Sequence, residues 1–166
     1  MRKFKTLLLI AVIAFGFNTA QAQDKIGHIN VDQLISSMPE FKALENELEK
    51  LGKTYQAELK SESEKFQAKL KKYDAEAAAQ TDEVNQRRQA EVSQDQQNLV
   101  ALEKTAMDEL NKKRNEKLKP IFEKAQNAIN DVAKENGFTY IIDAKALVVG
   151  NGTDILNMVK AKLGIQ

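Results

Sequence analysis

The chain contains no cysteine. That excludes disulfide staples, cysteine-ligated zinc and thiol chemistry, and it removes the acylated cysteine that a bacterial lipoprotein requires. Tryptophan is also absent, and aromatic residues make up 6% of the 166 positions. With 30% charged residues, this composition argues against a compact globule. There is one histidine, His28. With no second histidine and no cysteine beside it, a structural or exposed role is expected rather than a catalytic one. No phosphate-binding loop is present, which argues against ATP-driven work. Gly150-Asn151-Gly152 is glycine-rich but lacks the phosphate-loop spacing, and it reads as a turn. Proline occurs only at Pro39 and Pro120, and between them and on to Asn136 the one glycine is Gly52.

That scarcity of helix breakers leaves about 100 residues, Pro39 to Asn136, dominated by Ala, Leu, Glu, Lys and Gln, the strong helix formers. The first half carries Phe41, Leu44, Leu48, Leu51, Tyr55, Leu59, Phe66, Leu70, Tyr73 and Ala77. The steps alternate between three and four, with Glu62 in one slot, so the stripe is narrow and the rest of the helix is polar. Phe41 to Tyr55 repeats in sevens and Tyr55 to Ala77 in elevens, a left-handed wrap followed by a nearly straight one. Such a stripe can pack along one partner helix but cannot close a globular core.

A single straight helix of this length would run about 145 Å; a hairpin halves that. Charge favours the hairpin. Glu45, Glu47 and Glu49 lie early, and Lys112, Lys113, Arg114 and Lys117 lie late. A tip at Gln80 to Asp82 brings these patches side by side, with Thr81 or Asp82 capping the returning helix. A tip near Arg87 would instead set the basic patch opposite Tyr55 to Glu62. The earlier tip is preferred, as an argument about register rather than stability. The returning stripe (Val92, Leu99, Leu102, Ala106, Leu110, Leu118, Ile121) is weaker, and Asn85 to Gln97 is almost devoid of apolar residues. A loosely packed, mobile distal end is therefore expected. Pro120 should kink the returning helix and join an exposed shaft to a more apolar base.

Outside this segment the chain is short on elements. Arg2, Lys3 and Lys5, the apolar run Leu7 to Phe17 and Ala20-Gln21-Ala22 form a secretory signal cleaved after Ala22. The whole chain has 25 basic and 24 acidic residues. Removing three bases and no acids leaves 22 against 24, a net charge of −2, which is no general nucleic-acid or anionic-membrane footprint. Lys25 to Val31 reads as a strand, with Asp32 capping a short helix that Met38-Pro39 closes. Asn136-Gly137 ends the long helix. Phe138 to Ile142 and Ala146 to Val149 read as two further strands, and Thr153 or Asp154 caps a last helix. Three short strands and a small helix leave apolar edges with too little cover. Self-association is the expected solution, with Ile29, Val31, Ile141, Leu147 and Val149 in the shared core.

Three stretches carry a family resemblance: Ile26-Gly27-His28-Ile29-Asn30-Val31-Asp32; Leu118 to Lys124 running on through Val132-Ala133 to Gly137-Phe138; and Phe138 to Ala144 with Thr153-Asp154-Ile155. In this order, around a charged hairpin and behind a signal, they resemble the Skp (OmpH-like) periplasmic chaperones. The resemblance implies an α+β, mostly helical fold and a homotrimer whose β body holds three helical arms around a cavity. It further implies ATP-independent holding of unfolded outer-membrane proteins in the periplasm, without cofactors. The family's best-known members are strongly basic and this chain is not, which argues against contact with lipopolysaccharide or anionic membrane.

The expected organisation is a signal over 1–22, a body over 23–38 and 121–166, and an arm over 39–120 with its tip near 80–82. Phe66, Tyr73, Val84 and Met107 either pack between the arm helices or contact a client. Pro120 and Gly52 are candidate hinges that let arms spread. No catalytic or metal-binding constellation is found, and the many carboxylates read as solvated helix faces paired with lysines. The competing reading is a structural coiled-coil module that spaces or bridges folded envelope partners.

Overall fold

The computed structural model describes residues 24–165; the expected signal segment and its cleavage site lie outside them. The order is β1 (Ile26–Ile29), α1 (Val31–Ser37), α2 (Pro39–Glu76), a 3-10 turn (Ala77–Ala79), α3 (Asp82–Glu135), β2 (Tyr140–Asp143), β3 (Thr153–Asp154) and α4 (Leu156–Lys162). A second 3-10 turn, Ala144–Ala146, follows β2. As the composition and periodicity require, the fold is α+β and mostly helical: a long antiparallel hairpin, α2 and α3, on a small sheet.

β1 is the central strand. β2 and β3 flank it, both parallel to it, in register Ile26 with Tyr140 through Ile29 with Asp143, and Gly27 with Thr153. The whole hairpin is thus inserted between two neighbouring strands, so the arm is rooted at both ends in one sheet.

The local boundaries depart from expectation in three places. β1 stops at Ile29, and Asn30 rather than Asp32 caps α1: its side chain accepts from the Gln33 amide at 2.9 Å. Val31 becomes the first residue of α1 instead of a strand residue, while Asp32 pairs with Lys145. Residues 147–149 form no strand; the third strand is Thr153–Asp154. Asp154 also accepts from the Leu156 amide at 2.9 Å, which starts α4.

Pro39 occupies the first turn of α2, where its missing N–H costs nothing. At the far end Gly137 takes φ +69°, and the Phe138 amide returns to the Ala133 carbonyl at 2.9 Å. This left-handed closure suits glycine. Lys25 Nζ adds a bond to the Asn136 carbonyl at 2.9 Å and stands 4.2 Å over the Phe138 ring, so a cation faces the negative end of the α3 dipole.

The core lies where sheet, α1, α4 and the arm base meet. Ile29, Leu34, Met38, Ile155 and Val159 are fully buried, and Leu44, Ile121, Ala125, Ile129, Val132 and Phe138 pack on them. Along the shaft no large side chain is fully buried; Ala106 is the one buried residue beyond the base among those described.

Candidate functional site

The arm divides physically into a base, a middle and a tip. At the base, Phe41, Leu44, Leu48, Leu110 and Leu118 line a cleft of about 500 Å³, and Leu44, Pro120 and Ile121 line another of about 400 Å³ on a different side of the seam. Charged pairs bracket the seam. Glu47 meets Lys113 at 2.6 Å, and Glu40 meets Lys124. The hydrogen bond from Lys124 holds the Glu40 carboxyl below its ordinary range, and that from Lys113 does the same for Glu47. Glu49 turns to Lys53 in its own helix, at 2.6 Å.

In the middle, Phe66 packs toward Leu99 and Leu102 around a cavity of about 320 Å³, closed on its distal side by Lys69 and Asp95. Nearer the tip the seam is polar. The Tyr73 hydroxyl donates to Glu91 at 2.6 Å, and the Arg88 guanidinium lies 4.5 Å over the Tyr73 ring while bonding Glu76 at 2.6 Å. The Asn85 amide donates to the Ala77 carbonyl at 3.0 Å, and Thr81 caps α3 by accepting from the Val84 amide at 3.3 Å. The hydrogen bond to Glu91, together with partial burial, raises the Tyr73 hydroxyl above its usual value, and the bond to Asp95 raises Lys69. The sparse apolar surface toward the tip was legible in the sequence; this ladder of polar cross-links was not, because it exists only once the register is set.

The four arm residues singled out by sequence do not share an environment. Phe66 and Tyr73 face the seam and are half-buried, as is Val84, whereas Met107 stands 56% exposed. Sequence reading missed Val100, which is 62% exposed. Of the candidate hinges, Gly52 lies in an unbroken helix where an added Cβ would meet nothing within 4 Å. Pro120 is exposed within α3, which continues across it without interruption.

The body presents a different surface. Ile29 is covered by its own chain and Val31 and Ile141 pack against the same core, so Ile29 is not free to complete an interface. Leu147 is half-buried, but Val148 and Val149 are exposed, as are the register partners Ile26 and Tyr140. His28, on β1, is half-buried, and a Cβ added at Gly150 or Gly152 would meet its ring. Among the described residues no cluster of three carboxylates and imidazoles could hold a metal ion, and no helix is long and apolar enough to cross a membrane.

The hairpin thus carries an apolar seam at its base and middle and a polar one toward its tip, on a body with exposed apolar residues. A family model described as outer membrane protein (OmpH-like) matches residues 25–163. The chain belongs to the OmpH-like family. Two curated relatives are chaperone proteins Skp. One, from Pectobacterium atrosepticum, is 22% identical over 93% of this chain and 94% of its own. The other, from Photorhabdus laumondii subsp. laumondii, is 27% identical over 89% and 93%. The crystal structure of a protein described as an outer membrane chaperone (OmpH-like), from Caulobacter crescentus CB15, superposes with a TM-score of 0.76. It covers 86% of this OmpH-like chain and 85% of its own length at 17% identity, a likeness of fold alone.

Proposed function

We propose that this OmpH-like protein is an ATP-independent periplasmic holdase. It keeps unfolded outer-membrane proteins from aggregating by many weak contacts with its helical arms. The observation that carries this reading is the arm itself. It projects from the body with one seam, little buried apolar surface and outward side chains such as Val100 and Met107 left uncovered. A soft wall of mixed apolar and polar character suits weak, sequence-tolerant binding. Met107 is open to a client directly, whereas Phe66, Tyr73 and Val84 become available as the helices separate, with Gly52 and Pro120 as the points of bending.

Assembly belongs to the same proposal. Val148, Val149, Ile26 and Tyr140 leave apolar surface uncovered around the sheet, and exposed edges of a small sheet call for a partner. Three copies closing this body would set three arms around a client.

The test is dilution of a urea-unfolded outer-membrane β-barrel protein into buffer with an excess of the mature chain. Light scattering should stay low; scattering that rises as fast as in buffer alone rejects the holdase. A structural spacer would instead retain a folded envelope partner and ignore unfolded chains in a pull-down.

A further inference from the structure

The two helices of the arm differ on their outward faces. On α2 the outward row Lys53, Ala57, Lys60, Glu64, Ala68 and Lys71 is exposed and mostly charged, with Lys53–Glu49 and Lys60–Glu64 paired along the helix. On α3 the outward row Gln89, Ser93, Gln96, Val100, Lys104, Met107, extending from Gln86 to Asn111, is also exposed but carries one charge, Lys104. A shallow concavity of about 430 Å³ opens on it between Ser93 and Lys104.

Neither helix formation nor solubility accounts for this. Gln, Glu and Lys have similar helix propensities, and charge at these positions would add ion pairs along the helix. An uncharged row does lower the cost of removing a surface from water. Carboxamides both donate and accept, so they can meet the unpaired N–H and C=O groups of an extended chain without selecting its sequence. Val100 and Met107, seven residues apart on one face, add apolar contact.

We infer that this row of α3 is the surface on which an unfolded β-barrel chain lies, one extended segment along each arm. Its length fits: 26 residues of helix span about 39 Å, and a membrane-spanning strand of about 10 residues extends about 33 Å. The inference rests on the holdase reading and adds which face meets the client. It requires α3 rather than α2 to line the space between arms.

The absence of cysteine makes the test direct. Single cysteines replacing Ser93 or Val100 on α3, and Lys60 or Lys71 on α2, carry a benzophenone photo-cross-linker in the full mature protein. The client is a urea-unfolded outer-membrane β-barrel protein. Adducts should concentrate at the α3 positions. In a second arm, V100E with M107E should weaken client binding by roughly tenfold at unchanged helicity, while K60E leaves it unaltered. Equal cross-linking from both helices, or preference for α2, overturns the inference while aggregation suppression still upholds the holdase. Adducts between copies that the client does not displace overturn it in favour of self-contact. Loss of suppression by the parent protein removes both.

Discussion

Gly27, on β1, has the least room of the described glycines. A Cβ there would lie 3.0 Å from Phe138 Cε1 and from Ile141 Cδ1. The Ile141 tip can swing, but the Phe138 ring is buried at 8% exposure beneath Lys25. Gly27→Ala should therefore lower stability by about 1–3 kcal/mol, as overpacking does, and thermal unfolding should shift down by several degrees. An unchanged midpoint would mean that the ring moves aside freely. The same few residues show how far a sequence reaches at this scale. Asn30 and Asp32 are both good helix caps; which one serves depends on where β1 ends, and that is fixed by pairing with β2 more than 100 residues away. The apolar run 146–149, ending in Val148 and Val149, reads as a strand by propensity, yet β1 already has both edges occupied, by β2 and by Thr153–Asp154. Tertiary pairing overrode local preference.

At the scale of elements, the arm was legible because a 3–4 spacing repeated over ten turns has few other meanings. The ion pairs that pin it were only partly so. Glu47 with Lys113 follows from patches visible in the sequence, whereas Lys69 with Asp95 and Tyr73 with Glu91 emerge from the register alone. Glu40 and Glu47 have depressed carboxyls, so their contribution is full above the ordinary value of 4.5 and lost as pH falls through the lower folded value. Lys69 and Tyr73 are raised, so theirs is full below the ordinary values of 10.5 and 10.0 and lost as pH rises through the higher folded ones. Acid should loosen the arm base through Glu40 and Glu47, and alkali the distal arm through Lys69 and Tyr73. A spin-label pair across the seam near Glu47 should broaden in its distance distribution as pH falls below the ordinary carboxylate value, and a pair near Tyr73 as pH rises past the ordinary lysine value; a distribution that stays unchanged at either place would contradict it. Gly52 makes a second prediction at this scale. With open space around it, Gly52→Ala should stabilise the chain by about 1 kcal/mol, read as a higher unfolding midpoint. If the residue also bends, the stiffer variant should suppress aggregation of large clients less well than of small ones.

For the whole molecule the question is what completes the body. The arm is rooted in a sheet of three short parallel strands, a kind of sheet normally covered on both faces. Here α1, α4 and the arm base cover the core, but Val148 and Val149 remain the most exposed large apolar side chains among the described residues. The shortage of cover makes further copies an expectation of the sequence, and the number three is what the family resemblance implies. The structure also sharpens where to intervene. Ile29 and Ile141 belong to the chain's own core, so a charge placed at either would unfold the monomer and leave the assembly question unanswered. Val148 and Val149 touch that core little, so V148D with V149D should leave helicity and the thermal onset of the arm near those of the parent. If these residues close the shared body, sedimentation should shift from the assembly to a single chain at the same protein concentration. Client holding should then weaken sharply, because three linked arms raise the effective concentration of contacts far above that of one. A double variant that still sediments with the parent places the interface elsewhere on the body, with the Ile26 and Tyr140 edge as the next surface to charge.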